Sequence, residues 1–411
     1  MAEITANAAP SRPDRLKRAL TTPLVVLYGL GVTVGAGIYV LVGQTAAEAG
    51  PYAPVSFLVA AVVVAFTAFS YAELSTRYPV SAGEAAYIEG GFQSRRFAAF
   101  VGLAVALSGM VSASAVSIGA ASYLANLTEL PQQILIIAVV ILMGLIALWG
   151  ITQSVTVAAV ITVIEISGLG LVILWGYFVA EPRGVELLQM VPPLVGSHWI
   201  GIGVASLLAF FAFVGFEDMA NVAEEVKDPR HTMPRAILWT LVLATVLYIG
   251  TTTAVLVSVP IPALSQSAAP LSLVFEGAPV SVNRLFSLIA IVATVNGVLI
   301  QMIMASRVLY GLADRGQLPG MLAFVSSTTR TPVVATITVV LIIIVLALTL
   351  PIGELAERTS QIVLLVFVLV NVALIRLKRA GQPDTGCFTV PMFVPVLGVV
   401  TSVLLFGTSF L

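Results

Sequence analysis

The chain of 411 residues is 59% hydrophobic and only 9% charged, far below the roughly 25% charged residues of an ordinary soluble domain. Its formal net charge is −1, and one cysteine, Cys387, with two histidines, His198 and His231, excludes an intramolecular disulfide and gives no reason to expect a His/Cys metal cluster. These bounds leave a polytopic helical membrane protein embedded in the lipid bilayer.

Residues 1–20 are polar and basic, and the apolar run that follows is too long and lacks a cleavage site for a secretory signal peptide, so it is read as span 1. A hydrocarbon core of about 30 Å needs about 20 apolar residues per helix. Such runs recur at about 22–48, 51–77, 97–125, 132–150, 155–179, 199–224, 235–259, 283–311, 332–350, 359–376 and 388–410, numbered here as spans 1 to 11. With the N-terminus inside, only Arg183, Arg284 and Arg358 of the 19 Lys and Arg residues fall in outer segments, the bias of the positive-inside rule. A multi-pass protein of the cytoplasmic membrane is therefore expected, with the N-terminus inside and, after eleven spans, the C-terminus outside. The longer connections at 78–96, 180–198, 260–282 and 312–331 are too short for a separate soluble domain.

Two spans carry glycine-rich interruptions five spans apart: GLGVTVGAGIY (Gly29 to Tyr39) in span 1 and FFAFVGF (Phe210 to Phe216) in span 6. Matching broken segments in two halves point to an inverted-repeat transporter with its site at the repeat interface. An odd number of spans per half forces opposite orientations, which gives a cytoplasmic tail (1–21), a first repeat (22–179), a second repeat (180–376) and a loop with span 11 (377–411). The repeat rests on topology and break position, not on residue-level similarity. The competing reading of span 1 is close packing, because Gly31 and Gly35 form a GxxxG pair. Unwinding near Thr33 would instead free backbone polar groups that must line a cavity or meet a ligand.

Four sets of charges need an account. Glu165 is the one charged residue of span 5, about ten residues or roughly 15 Å from its start, where an ionisable side chain marks a functional site by default. It can act as a proton switch, help hold a sodium ion with Thr294 or Asn296, or serve in a structural pair. Glu217 and Asp218 follow the span 6 break, where unpaired N–H groups and the positive dipole end of a second half-helix favour carboxylates, so at least one is expected to cap. Glu224 and Glu225 read as an interfacial cluster or as an inner gate pairing with Arg15 or Lys17. Glu73 and Arg77, at i and i+4, suit a helix-surface pair.

Three motifs, in order, resemble amino-acid permeases of the amino acid, polyamine and organocation transporter superfamily: GAGIY (Gly35 to Tyr39), FAFVGFEDMANVAEEVKDPRHTMPRAI (Phe211 to Ile237) and SRVLYGLADRGQLP (Ser306 to Pro319). The resemblance covers most of the chain. It implies an all-α polytopic membrane protein of the five-plus-five inverted-repeat fold with broken helices 1 and 6. It also implies a substrate α-carboxylate at the N–H groups of Ala36, Gly37 and Ile38, and an α-ammonium at the carbonyls of Phe211, Ala212 and Val214. Thr33, Gly35 and Gly215 belong to the same breaks, Gln301 is expected on the pocket, and Phe213 or Phe216 can gate it. The serines of span 3, Ser108, Ser112, Ser114 and Ser117, are too diffuse to assign. Proton-coupled relatives commonly carry a lysine where this chain has Glu165, a departure from the pattern.

The resulting expectation is secondary active amino-acid transport by alternating access, as proton-coupled symport or with sodium as the coupling ion. An exchanger without ion coupling and a non-transporting amino-acid sensor are the alternatives. A phosphate-binding loop and a nucleophile with a nearby histidine are both missing from the sequence, so no enzyme activity, cofactor or nucleic-acid partner is expected, and oligomeric state is left open.

Overall fold

The computed structural model describes residues 20–34, 37–79, 83–125, 127–128, 130–149, 155–326, 331–381 and 386–411. Nearly all of them are helical, and the sole β pairing among them is an isolated bridge between Leu20 and Val226. The reason is the solvent: in hydrocarbon every backbone N–H and C=O must be satisfied within its own segment, which a helix does and an open strand does not. Eight helices are long and apolar enough to cross a membrane, and three apolar helices are shorter. The protein is an all-α polytopic membrane protein.

Span 1 comprises helices Thr22–Val34 and Gly37–Ala49, on either side of two residues outside the described set. Span 2 is Ala53–Arg77, span 3 Arg95–Ala125, span 4 Gln132–Trp149 and span 5 Val155–Phe178. Span 6 begins as Gly196–Phe211, span 7 is Pro229–Ser258, and span 8 is Val280–Asp314. Spans 9, 10 and 11 are Val333–Thr349, Ile352–Arg379 and Phe393–Gly407. The two halves of span 1 pack on spans 5, 6 and 7, while span 3 lies between spans 8 and 10. Large apolar side chains point outward from the peripheral helices, such as Leu142 and Leu145 on span 4, Leu341 and Val345 on span 9, and Val403 and Leu404 on span 11. That is the pattern expected where lipid, not water, covers the protein.

Three sequence expectations need correction. The connection 78–96 is not simply a loop: it contains the helix Gly83–Phe92, whose Glu84 is buried. The continuation of span 6 is a 3₁₀ helix, Phe216–Glu225, not a second α-helical half. Runs of this kind longer than three or four residues are uncommon and often mark a hinge or strain. Finally, Glu73 and Arg77 are not a surface pair. Glu73 is fully buried; its Oε1 accepts from Arg77 at 2.7 Å, while its Oε2 takes the Lys378 ammonium at 2.8 Å and the Val390 N–H at 2.8 Å. One carboxylate thus ties span 2 to the end of span 10 and to the segment entering span 11.

Candidate functional site

The break in span 6 follows from its backbone. Past Phe211 the N–H groups of Ala212, Phe213 and Val214 turn to carbonyls three residues back, at 3.1, 2.9 and 3.1 Å. Gly215 then adopts φ = +114°, a conformation that glycine alone takes without steric penalty. Its position is also crowded, since a Cβ there would lie 2.7 Å from the Val32 side chain and 2.9 Å from the Val32 carbonyl oxygen. Glu217 reaches back, and its Oε2 accepts from the Gly215 N–H at 2.9 Å. The arrangement works like the returning acid of a capping box, with a side chain satisfying an N–H that the helix cannot.

Spans 1 and 6 meet at this point. A Cβ on Gly37 would collide with the Ala212 backbone, so the start of Gly37–Ala49 lies against the end of Gly196–Phe211. Tyr248 of span 7 joins them: its hydroxyl lies 2.6 Å from the Ala212 carbonyl and 2.8 Å from the Thr33 carbonyl. One hydroxyl carries one proton, so it serves the two acceptors in turn or shares between them. Sequence reasoning missed Tyr248, because no motif marks it in an apolar helix. Other glycines of span 1 serve packing, with Gly29 facing Met219 and Thr240, and Gly31 facing the Thr162 hydroxyl.

A small cavity opens beside this junction. Thr33 and Gly37 of span 1, Phe211 and Val214 of span 6, Ser112 of span 3 and Gln301 of span 8 all lie on it. It has room for roughly one water molecule, so any larger ligand requires its walls to part. The Ser112 hydroxyl and the Gln301 amide are buried, and neither has a hydrogen-bond partner among the described residues. Thr33 is bonded back to Gly29 O at 2.7 Å. Ser108 lies on an adjoining cavity, whereas Ser114 and Ser117 bond helix carbonyls.

Gly35 and Ala36 lie outside the described residues, as do the side chains of Glu224 and Glu225 and the whole of Arg15 and Lys17. Ile38 is buried. Phe213 stacks edge-on against Tyr248 at 4.9 Å, and Phe216 packs between Tyr71 at 5.5 Å and Phe367 at 5.3 Å. Both rings are buried, so neither faces lipid.

Glu165 is fully buried, and its Oε1 accepts from the Asn296 amide of span 8 at 3.2 Å. Its Oε2 has no hydrogen-bond partner among the described residues. Tyr123 donates to the Tyr39 carbonyl at 2.6 Å, and Tyr39 in turn donates to the Glu165 carbonyl at 2.7 Å. Spans 3, 1 and 5 are thereby joined through the backbone of Tyr39 and Glu165. Thr294 turns its hydroxyl to Ala290 O at 2.7 Å and does not reach Glu165. Among the described residues no group of three His, Cys, Asp or Glu side chains is arranged to hold a metal ion.

Comparison with known proteins places this architecture. The chain is 29% identical over 403 residues to the branched-chain amino acid permease BcaP of Bacillus subtilis, with 92% of this chain and 84% of that protein covered. It is 28% identical over 422 residues to a methylthioribose transporter of the same organism, covering 96% and 88%. It is 29% identical over 392 residues to cationic amino acid transporter 3, mitochondrial, of Arabidopsis thaliana; that match covers 90% of this chain but spans only 64% of the plant protein. Residues 20–411 match the model of the amino acid permease family, and the chain belongs to that family.

Proposed function

We propose that the protein moves amino acids across the cell membrane by alternating access, in symport with protons. The observation that carries this reading is the junction of the two interrupted spans, with Gly37 against Ala212 and Tyr248 bridging the Thr33 and Ala212 carbonyls beside a cavity. A zwitterion suits that chemistry. Half-helix N-termini favour its carboxylate and half-helix C-termini its ammonium. The carboxylate is assigned to the N–H groups of Ala36, Gly37 and Ile38, beside Gly35. The ammonium is assigned to the carbonyls of Phe211, Ala212 and Val214, where it competes with the Tyr248 hydroxyl. Thr33, Gln301 and the Gly215 hinge complete the site; Phe213 and Phe216 gate it, and Glu224 and Glu225 close the inner path. The five-plus-five inverted repeat over 22–179 and 180–376, with the N-terminus inside, accounts for the position of both breaks. Two of the relatives, a branched-chain amino acid permease and a cationic amino acid transporter, support amino acids as the substrate class.

Glu165 carries the coupling. A fully buried carboxylate with one oxygen bonded to Asn296 and the other unpartnered among the described residues can take up a proton in the closed interior and release it when a path to water opens. The test is uptake of labelled amino acids into proteoliposomes, with and without an inward proton gradient and with sodium replaced by choline. Wild-type uptake is expected to follow the proton gradient in sodium-free buffer, and Glu165→Gln to lose that dependence. Equal pH and sodium dependence in both proteins would remove Glu165 from the coupling role. Counterflow insensitive to both ions would make the protein an exchanger, and binding without uptake would make it a sensor.

A further inference from the structure

A second cavity adjoins the first, and the two share Val214 and Gln301 in their walls. Three carboxylates converge on it: Glu84 from the short helix Gly83–Phe92, and Glu217 and Asp218 from the 3₁₀ segment. All three residues are more than nine-tenths buried. No Lys or Arg side chain lies on its walls, and none of the three is ion-paired among the described residues. Their hydrogen bonds are few. Glu84 Oε1 accepts from the Tyr71 hydroxyl at 3.2 Å and Glu217 Oε2 from the Gly215 N–H. Among the described residues no hydrogen bond is seen to the Asp218 carboxylate or to the Gln301 amide, which lies on the walls of both cavities.

Burying several carboxylates without a cation is costly, because the solvation lost is not replaced. Glu84 is also met by its own backbone besides Tyr71, and Glu217 by its own backbone besides Gly215, so the least engaged carboxylate of the three is that of Asp218. A primary ammonium offers three donors and a guanidinium five, a match in both charge and hydrogen-bonding capacity. The first cavity, in contrast, presents backbone groups and uncharged side chains.

We infer that the two cavities form one elongated site, in which the second cavity receives the positively charged end of a substrate side chain, an ammonium or guanidinium, on Asp218, Glu84 and Glu217. This rests on the reading above that the α-amino-acid group binds at the junction of spans 1 and 6. The side chain passes Val214 and Gln301, which both cavities share, and the carboxylates select for a cation at its far end. Substrates are therefore basic amino acids in preference to branched or other neutral ones, and the residue that adds most to that selection outside the broken spans is Glu84.

The experiment is competition binding on the purified full-length protein with L-arginine, L-lysine, L-leucine, putrescine and sodium chloride as probes. Arginine or lysine is expected to bind at least tenfold more tightly than leucine. Asp218→Asn is expected to reduce the arginine-to-leucine affinity ratio at least tenfold. Glu84→Gln, which keeps a hydrogen-bonding side chain of the same length on the short helix, is expected to reduce it by a smaller factor. Tighter binding of leucine than of either basic amino acid, or an unchanged ratio in both variants, overturns the cation subsite while leaving amino-acid binding at the junction intact. Putrescine binding that Asp218→Asn abolishes, with no amino acid bound, supports the subsite and overturns the junction reading. Displacement by sodium chloride alone, with no organic cation bound, assigns the carboxylates to an inorganic ion and overturns the proposal.

Discussion

Glu84 gives a prediction with a magnitude and a sign. Burial holds its carboxyl up at about 7, against an ordinary value of 4.5, although hydrogen bonds from its own backbone and the Tyr71 hydroxyl pull the other way. The groups facing it are Tyr71 of span 2, Tyr87 of its own helix, and Asp218 and Glu217 of the 3₁₀ segment, none of which supplies a positive charge. Because the folded protein prefers the protonated acid, Glu84 contributes stability that is fully present below about pH 4.5 and is lost as pH rises through about 7. A rise of that size corresponds to about 3 kcal/mol, of which roughly 2.5 kcal/mol is lost between pH 5 and pH 8. Glu84→Gln cannot ionise, so the variant should gain on the wild type by up to that amount over the same interval. The loss of the contact with Tyr71 sets a constant offset of about 1 kcal/mol. Thermal melts of both proteins in one detergent at pH 5, 6.5 and 8 measure the difference. A gap between wild type and variant that stays constant across the three pH values would refute the reasoning, since a structural role alone has no reason to track pH. If a cation binds on the ionised group, its affinity should also rise with pH up to about 7 and flatten beyond it.

Two further outcomes follow from contacts described above. Tyr248→Phe removes the one proton shared by two buried carbonyls at the junction of spans 1 and 6, and should cost about 1–3 kcal/mol of stability and weaken amino-acid binding; unchanged melting and affinity would show that the hydroxyl is not a strut. Glu73→Gln removes the buried negative charge that faces the Lys378 ammonium, so it should destabilise by about 3–5 kcal/mol, and a melting temperature within one degree of wild type would show that the network is already solvated.

What the sequence made legible, and what it did not, divides along a physical line. The eleven apolar runs follow from a local property, the need for about 20 apolar residues per crossing, and most helix bounds lie within about three residues of those read directly, whereas spans 7 and 10 begin earlier, at Pro229 and Ile352, and span 11 later, at Phe393. Gly215 was legible too, because a glycine between aromatics in an apolar run has few uses other than a break, and its φ of +114° is one. The glycines of span 1 were ambiguous for a reason the structure makes plain. Gly29 and Gly31 admit neighbouring side chains, while Gly37 admits the backbone of another span, and a sequence pattern does not distinguish these. The remaining features depend on partners far away in the chain. Glu73 and Arg77 have the spacing of a surface pair, but the Val390 N–H that completes the carboxylate lies 317 residues on. Tyr248 stands in a run of apolar residues, and its role comes from two carbonyls 215 and 36 residues distant. Glu84 sits in a stretch whose polarity reads as a loop, yet folding carries it beneath span 6. Charge in a membrane protein is thus a poor guide to exposure: Glu73 and Glu84, in segments that read as a helix surface and as a loop, are both buried, and a carboxylate such as Glu84, with no cation paired to it among the described residues, is a reason to look for one from outside.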